Sequence, residues 1–296
     1  MKIFIMTDLE GVAGVLDIEN WCNTQSLHYQ KAREFLTKEV NAAIEGFLQG
    51  GATEIVVADG HGGDGTVNRE ILHPKAELMC HWSEDKWGTF NMDDRKFDYI
   101  AFIGQHPMAG TIGGHLSHTG NMGVVQQTVN DIVVGEYGDL VLIANELGIR
   151  AIFATGCEAF CREAKAFVPG IETVAVKRGT QTTPGNHLPP AAYRKHNAGA
   201  IHLHPEEARS RIKAGAYRAI ERASKEDFGF AIERPKPPYT RIRIYRGNDQ
   251  YPPRVFKQTH PTSLFELHHV SYTFQELEIN PADQNLRKLL GRMITW

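Results

Sequence analysis

The chain has 296 residues, 42% of them hydrophobic and 23% charged, with a formal net charge of -3. It is long enough to bury a large core without staples, and its near-neutral balance excludes a nucleic-acid binder that works by bulk positive charge. No apolar run reaches the roughly 18–20 residues that span a bilayer, and Lys2 leads straight into a strand-like run rather than a signal peptide.

In chain order, residues 2–7, 54–58, 98–104, 150–155 and 172–177 are short Ile/Val/Phe-rich runs of the kind that form strands buried on both faces. Between the first two, Ser26 to Leu48 carries Ala32, Phe35, Leu36, Val40, Ala43, Ile44 and Phe47 on one helical stripe, and Gly50-Gly51 stops it. Strand, helix, strand at this spacing predicts a βαβ unit and a mainly parallel sheet. Val124–Val129 and Ile132–Val134 flank Asn130-Asp131, a hairpin signal. Helices are predicted over Glu136–Leu147 and Glu158–Phe167.

From residue 178 the texture changes. Residues 178–200 are polar, rich in Thr, Pro, Gly and His, and read as one long loop. Pro205-Glu206-Glu207 opens a helix running to about Ser224. Residues 235–238 form a linker, Thr240–Tyr245 and Val270–Phe274 read as strands, and a last helix is expected near Asp283–Met293. The fold class is α/β, a mostly parallel sheet flanked by helices with a smaller α+β C-terminal part. The division is 1–177 for the core and 178–296 for the rest. Cys22, Cys80, Cys157 and Cys161 make a poor disulfide framework. Cys157 and Cys161 read as two packed thiols on one helical face, and the expected compartment is the reducing cytoplasm.

Three of the predicted strands run into acids and histidines at the same end: Asp8 and Glu10, Asp59 and His61, and His106. Ligands of open parallel sheets bind outside the carboxyl ends of the strands. If the first strand continues, Asp8 and Glu10 share a side, with Leu9 opposite. Taken singly, each residue is more often a turn former or an ordinary hydrogen-bonded side chain. Together they predict a site for Zn2+ or for Mn2+ and its neighbours. His115 and His118 lie in a glycine-rich loop that reads alone as a surface loop, and Glu136 reads alone as a first-turn helix acid.

Five motifs in order carry a resemblance: Asp8-Leu9-Glu10-Gly11-Val12-Ala13-Gly14, Asp59-Gly60-His61, Gly104-Gln105-His106, Ser117-His118-Thr119, and Asn130-Asp131 followed by Gly135-Glu136. Over residues 1–177 the chain resembles the M55 peptidases, zinc-dependent D-aminopeptidases of the DppA type. The resemblance implies metal ligands at Asp8, Glu10, His61, His106 and Glu136, with two Zn2+ per chain, or Mn2+ or another divalent ion. It implies a catalytic role for His118 and a ring-like homo-oligomer such as a decamer. Asp59 then becomes a turn residue beside His61. The expected reaction is hydrolysis of an amide bond in a small amide or peptide substrate by a metal-activated water, with His118 handling protons or the oxyanion. No nucleic acid or membrane partner is expected.

The segments 178–200 and 258–269, the latter with His260, His268 and His269, depart from the family pattern and are expected to line a substrate pocket. A non-peptide or cyclic amide is therefore an alternative substrate, and a metal-binding or sensing module without turnover is an alternative function. A haloacid-dehalogenase-like phosphatase ranks lower: its Asp-x-Asp is replaced by Asp8-x-Glu10, and Asp93-Asp94 follows a polar stretch rather than a strand.

Overall fold

A computed structural model describes residues 1–62, 65–80 and 89–276. Its main sheet has seven strands in the order β3-β2-β1-β4-β7-β8-β9. These are β1 (Lys2–Thr7), β2 (Glu54–Ala58), β3 (Glu77–Met79), β4 (Tyr99–Gln105), β7 (Arg150–Cys157), β8 (Glu172–Gly179) and β9 (Ala200–His202). All neighbours pair in parallel except β8 and β9. The five apolar runs read from the sequence are the five central strands.

Helices cover both faces. After the short α1 (Ile18–Trp21), α2 (Tyr29–Gln49) and, on the same face, α6 (Pro205–Ala223) bury Leu36, Val40, Ile44, Phe47, Ile212 and Ile220 against Ile3, Ile5 and Val57. On the other, α3 (Glu136–Glu146) and α4 (Glu158–Phe167) bury Tyr137, Val141, Phe160 and Phe167 against Phe4, Phe102 and Ala154. Strand side chains alternate faces, so β1 sends Ile3 and Ile5 to one layer and Phe4 and Met6 to the other.

A second, antiparallel sheet has the order β12-β11-β10-β5-β6. Its strands are β5 (Val124–Val129), β6 (Ile132–Val133), β10 (Tyr239–Tyr245), β11 (Arg254–His260) and β12 (Gln275–Glu276). The turn between β5 and β6 has Asn130 at φ 44° and Asp131 at φ 67°. This is the doubly left-handed conformation that hairpin turns of this type need. Through this sheet the early hairpin pairs with the late strand β10.

Several expectations change. Val270–Phe274 is not a strand: Tyr272 stacks on Phe256 at 4.1 Å and Phe274 meets it edge-on, so these aromatics lie on the sheet's side chains instead of in its ladder. The strand next to β10 is β11, with Gln258 buried where an apolar residue would normally signal a strand. Residues 178–200 are not one loop. They contain the end of β8 and the helix α5 (Pro190–His196), which buries only Tyr193 and so lacks a helical apolar stripe. Ser26 lies before α2, in a turn with Asn23. Cys157 ends β7 and caps α4, so it does not share a helical face with Cys161. The helix expected near Asp283–Met293 lies outside the described residues.

Candidate metal centre

β2 lies on one side of β1 and β4 on the other, so the carboxyl ends of β1 and β4 form the point where the chain's winding reverses. Such switch points open a crevice. β1 stops at Thr7, and the backbone turns at once. Asp8 N–H still donates to Ile103 O, and Gly11 N–H donates to Gly104 O at 2.6 Å. A side chain at Gly11 would collide with the Gln105 carbonyl, and Gly104 has φ 78°. Glycine at both positions therefore lets the two strand-end loops touch, with Leu9 turned into the core.

The turn brings Asp8, Glu10, His61 and His106 together, and Glu136, the first residue of α3, closes the group. Asp8, Glu10 and His106 offer ligand atoms within 4.8 Å of one another, as do His106, His118 and Glu136. Asp8, Glu10 and His106 are buried. The Glu136 side chain keeps 34% of its surface exposed, giving the centre an opening to solvent.

Each histidine is fixed at one nitrogen by a backbone carbonyl. His61 Nε2–H donates to Cys22 O at 2.8 Å, His106 Nδ1–H to Pro107 O at 3.1 Å, and His118 Nδ1–H to Leu116 O at 2.9 Å. The other nitrogen turns to the carboxylates: His61 Nδ1 is hydrogen-bonded to Asp8 Oδ1 at 3.1 Å and lies 3.0 Å from Glu10 Oε2. His106 Nε2 lies 3.2 Å from Asp8 Oδ2 and 3.5 Å from Glu136 Oε1. Yet Asp8 Oδ2, Glu10 Oε2 and His106 Nε2 are all buried without a hydrogen-bond partner. Close approach without hydrogen-bond geometry means that these ligand atoms converge on shared space. Carbonyl-anchored imidazoles beside carboxylates are the donor set that divalent ions such as zinc take, so the residues fit such an ion.

The electrostatics ask for the same positive charge. Burial alone would lower the pKa of His61 and His106. The carboxylates Glu10 and Asp8 overcome it at His61, and Glu136 and Asp8 at His106, which is pushed up to about 10. His118 goes the other way: burial and the neighbouring His106, stacked at 3.8 Å, hold it below its ordinary value. Its Nε2 lies 3.8 Å from Glu136 Oε1.

Asp59 is a turn former. Its two oxygens accept Gly65, Thr66 and Val67 N–H and the Thr66 hydroxyl. His268 is buried against Asp139 and Arg241, and His260 accepts Ser263 N–H. Neither belongs to the centre. A small cleft is lined by Met108–Thr111, Thr119, Val133, Val134, Gln127 and Asn186 among others, residues that neighbour His106 and His118 in sequence. Asn186 comes from the 178–200 segment, whereas 258–269 contributes nothing to the cleft.

Sequence reasoning missed the polar cradle beneath the first loop. Glu39 accepts Ala13 N–H, His202 Nδ1 accepts Gly14 N–H, and Lys177 Nζ donates to Val12 O at 2.9 Å and Val15 O at 3.2 Å. The buried His115 Nε2 donates to Leu16 O and Ala198 O, tying this loop to the one that carries His118. Glu163 does the same after His106 by accepting Met108 N–H at 2.9 Å. One signal was available: Lys177 ends a predicted strand at the same sheet edge as the acids.

Fold and cluster together define the class, an α/β protein with a candidate divalent-metal centre at the switch point of its sheet. The sequence model of the M55 peptidase family, D-aminopeptidase, matches residues 1–198, and the chain belongs to this family. It is therefore an enzyme of the peptide-hydrolase class. The chain is 29% identical over 191 residues to a D-aminopeptidase of Bacillus subtilis (strain 168), covering 64% of this chain and 69% of that one. Its fold is that of a solved structure described as Zn-dependent D-aminopeptidase DppA from Bacillus subtilis, a self-compartmentalizing protease. The TM-score is 0.76 at 22% identity, covering 91% of this chain and 95% of that chain.

Proposed function

We propose that the chain hydrolyses the amide bond after an N-terminal D-amino acid of a small peptide, using zinc held by Asp8, Glu10, His61, His106 and Glu136. The observation that carries this reading is the set of buried ligand atoms on Asp8, Glu10 and His106 that converge without hydrogen bonds among themselves. Zinc-dependence of the DppA relative supports the choice of metal. Asp8, Glu10 and His106 form a ligand group without His118, and His61 and Glu136 beside it support a second ion. A divalent ion bound there supplies Lewis acidity, polarising the scissile carbonyl and lowering the pKa of water toward neutrality.

The chain's own residues do the rest. His118 is neutral at pH 7, because burial holds its pKa down. Its Nδ1–H is committed to Leu116 O, so Nε2 faces the centre as an acceptor. It takes the proton released as water attacks and returns it to the leaving amine. Glu136, held by Gly120 N–H at 2.6 Å, stabilises the imidazolium formed in between. The cleft lined by Met108–Thr111 and Thr119 receives the substrate.

Self-compartmentalization of the relative supports a ring-like homo-oligomer, with a decamer as the size to test. Four free cysteines, three of them buried, are in keeping with the cytoplasm. The test is metal content with activity: His61→Ala and His106→Ala should each lose bound zinc and turnover together. Retention of both by either variant would refute the ligand assignment.

A further inference from the structure

Arg243, on β10, is a guanidinium with no carboxylate within ion-pair reach among the described residues. The nearby Asp139 is already engaged by Arg241 at 3.3 Å and His268 at 3.2 Å. Gln127 donates to Asp139 Oδ2 at 2.7 Å and thereby turns its oxygen toward Arg243. That oxygen accepts Arg243 Nε at 2.6 Å and also Nη2, and the ring of Phe256 lies 5.4 Å beneath the guanidinium. The group is thus fixed along one edge. Nη1, on the other edge, has no hydrogen-bond partner among the described residues.

That free edge lies beside Gly120, which also contacts Glu136 of the metal centre. Gly120 N–H donates to Glu136 Oε1 at 2.6 Å, and a Cβ placed on Gly120 would lie 3.1 Å from Arg243 Nη1. With covalent bonds of about 1.5 Å along this path, Nη1 lies within roughly 9 Å of Glu136 Oε1. One residue of about 3.8 Å, contacted at each end over about 2–3 Å, fits at the upper end of that limit. Gln127, which orients Arg243, also lines the cleft. An anchored guanidinium with one open edge is suited to a carboxylate.

We infer that Arg243 binds the free α-carboxylate of a substrate that ends one residue beyond the scissile bond, so that the enzyme prefers dipeptides. This rests on the amide-hydrolase reading above. The experiment compares D-alanyl-glycine with D-alanyl-glycinamide, which share the scissile bond and differ only in the terminal carboxylate. The zinc-loaded wild type should favour the acid. In Arg243→Gln the acid-to-amide ratio of kcat/KM should fall by about 10- to 100-fold, mainly through KM, as expected for a lost bond to a charged group. Arg243→Lys, which keeps the charge without the fork, should restore part of the ratio.

A ratio unchanged in Arg243→Gln, whatever happens to the two rates, overturns the carboxylate assignment and leaves the hydrolase reading standing. Failure of the loaded wild type to cleave either compound overturns both.

Discussion

Loading the centre with metal should expel protons, and the number follows from the hydrogen bonds. In the metal-free protein His61 and His106 each donate one N–H to a carbonyl and turn the other nitrogen toward carboxylates. Those carboxylates hold both imidazoles protonated, His106 up to about 10. At pH 8 the second nitrogen of His106 therefore carries a proton that an incoming ion must displace, and the raised His61 adds to the count, so at least one proton per chain leaves on binding. The apparent zinc affinity should rise by at least about 10-fold per pH unit between roughly pH 8 and 9, above the value of about 7 to which Asp8 is raised, because each displaced proton contributes a factor of ten. Calorimetric titration in two buffers of different ionisation enthalpy counts the protons directly, without any turnover. His61→Ala should lower the count. A pH-independent affinity with no proton release would show that these nitrogens do not meet the ion.

Other expectations concern the supports. Lys177→Met leaves Val15 O without its hydrogen bond among the described residues, and removing the ammonium's desolvation only partly offsets this. Urea unfolding should show a loss of about 1–3 kcal/mol, with zinc bound about 10- to 100-fold more weakly; no change in either would count against the cradle. His118→Ala should cut kcat by about 10²–10⁴-fold while zinc content holds. Loss of one ion in that variant would make His118 a ligand instead. Glu39 is raised to about 7 from 4.5 by burial, so between those values the folded state binds more protons than the unfolded state. Stability of the wild type should thus fall as pH rises through that window, by up to about 3 kcal/mol relative to Glu39→Gln. Stability curves that stay parallel from pH 4.5 to 8 would contradict the buried, proton-holding Glu39.

The central strands were legible because burial on both faces writes continuous apolar runs, and the glycines and acids that end them mark one sheet edge. The grouping of Asp8, Glu10, His61 and His106 followed from that edge alone. Glu136 and His118 did not, since a first-turn acid and a loop histidine look ordinary until the second sheet brings α3 and the 113–120 loop to the same edge. The support residues were hidden for a different reason. Lys177, Glu39 and Glu163 sit on elements whose pattern is apolar, and each is explained only by a backbone group far away in sequence. β11 and Arg243 were missed because buried Gln258 and Gln127 take the places of apolar residues and form a polar layer with Arg241, Arg243 and Asp139.

The central claim is metal-dependent cleavage after a D-residue, and one measurement addresses it most directly. D-alanyl-glycine and L-alanyl-glycine are each incubated with chelator-stripped protein, with and without added zinc, and free glycine is quantified. Glycine release from the D-substrate alone, and only with zinc restored, is the expected result. Release in the presence of excess chelator, or an equal rate on the L-substrate, would contradict it.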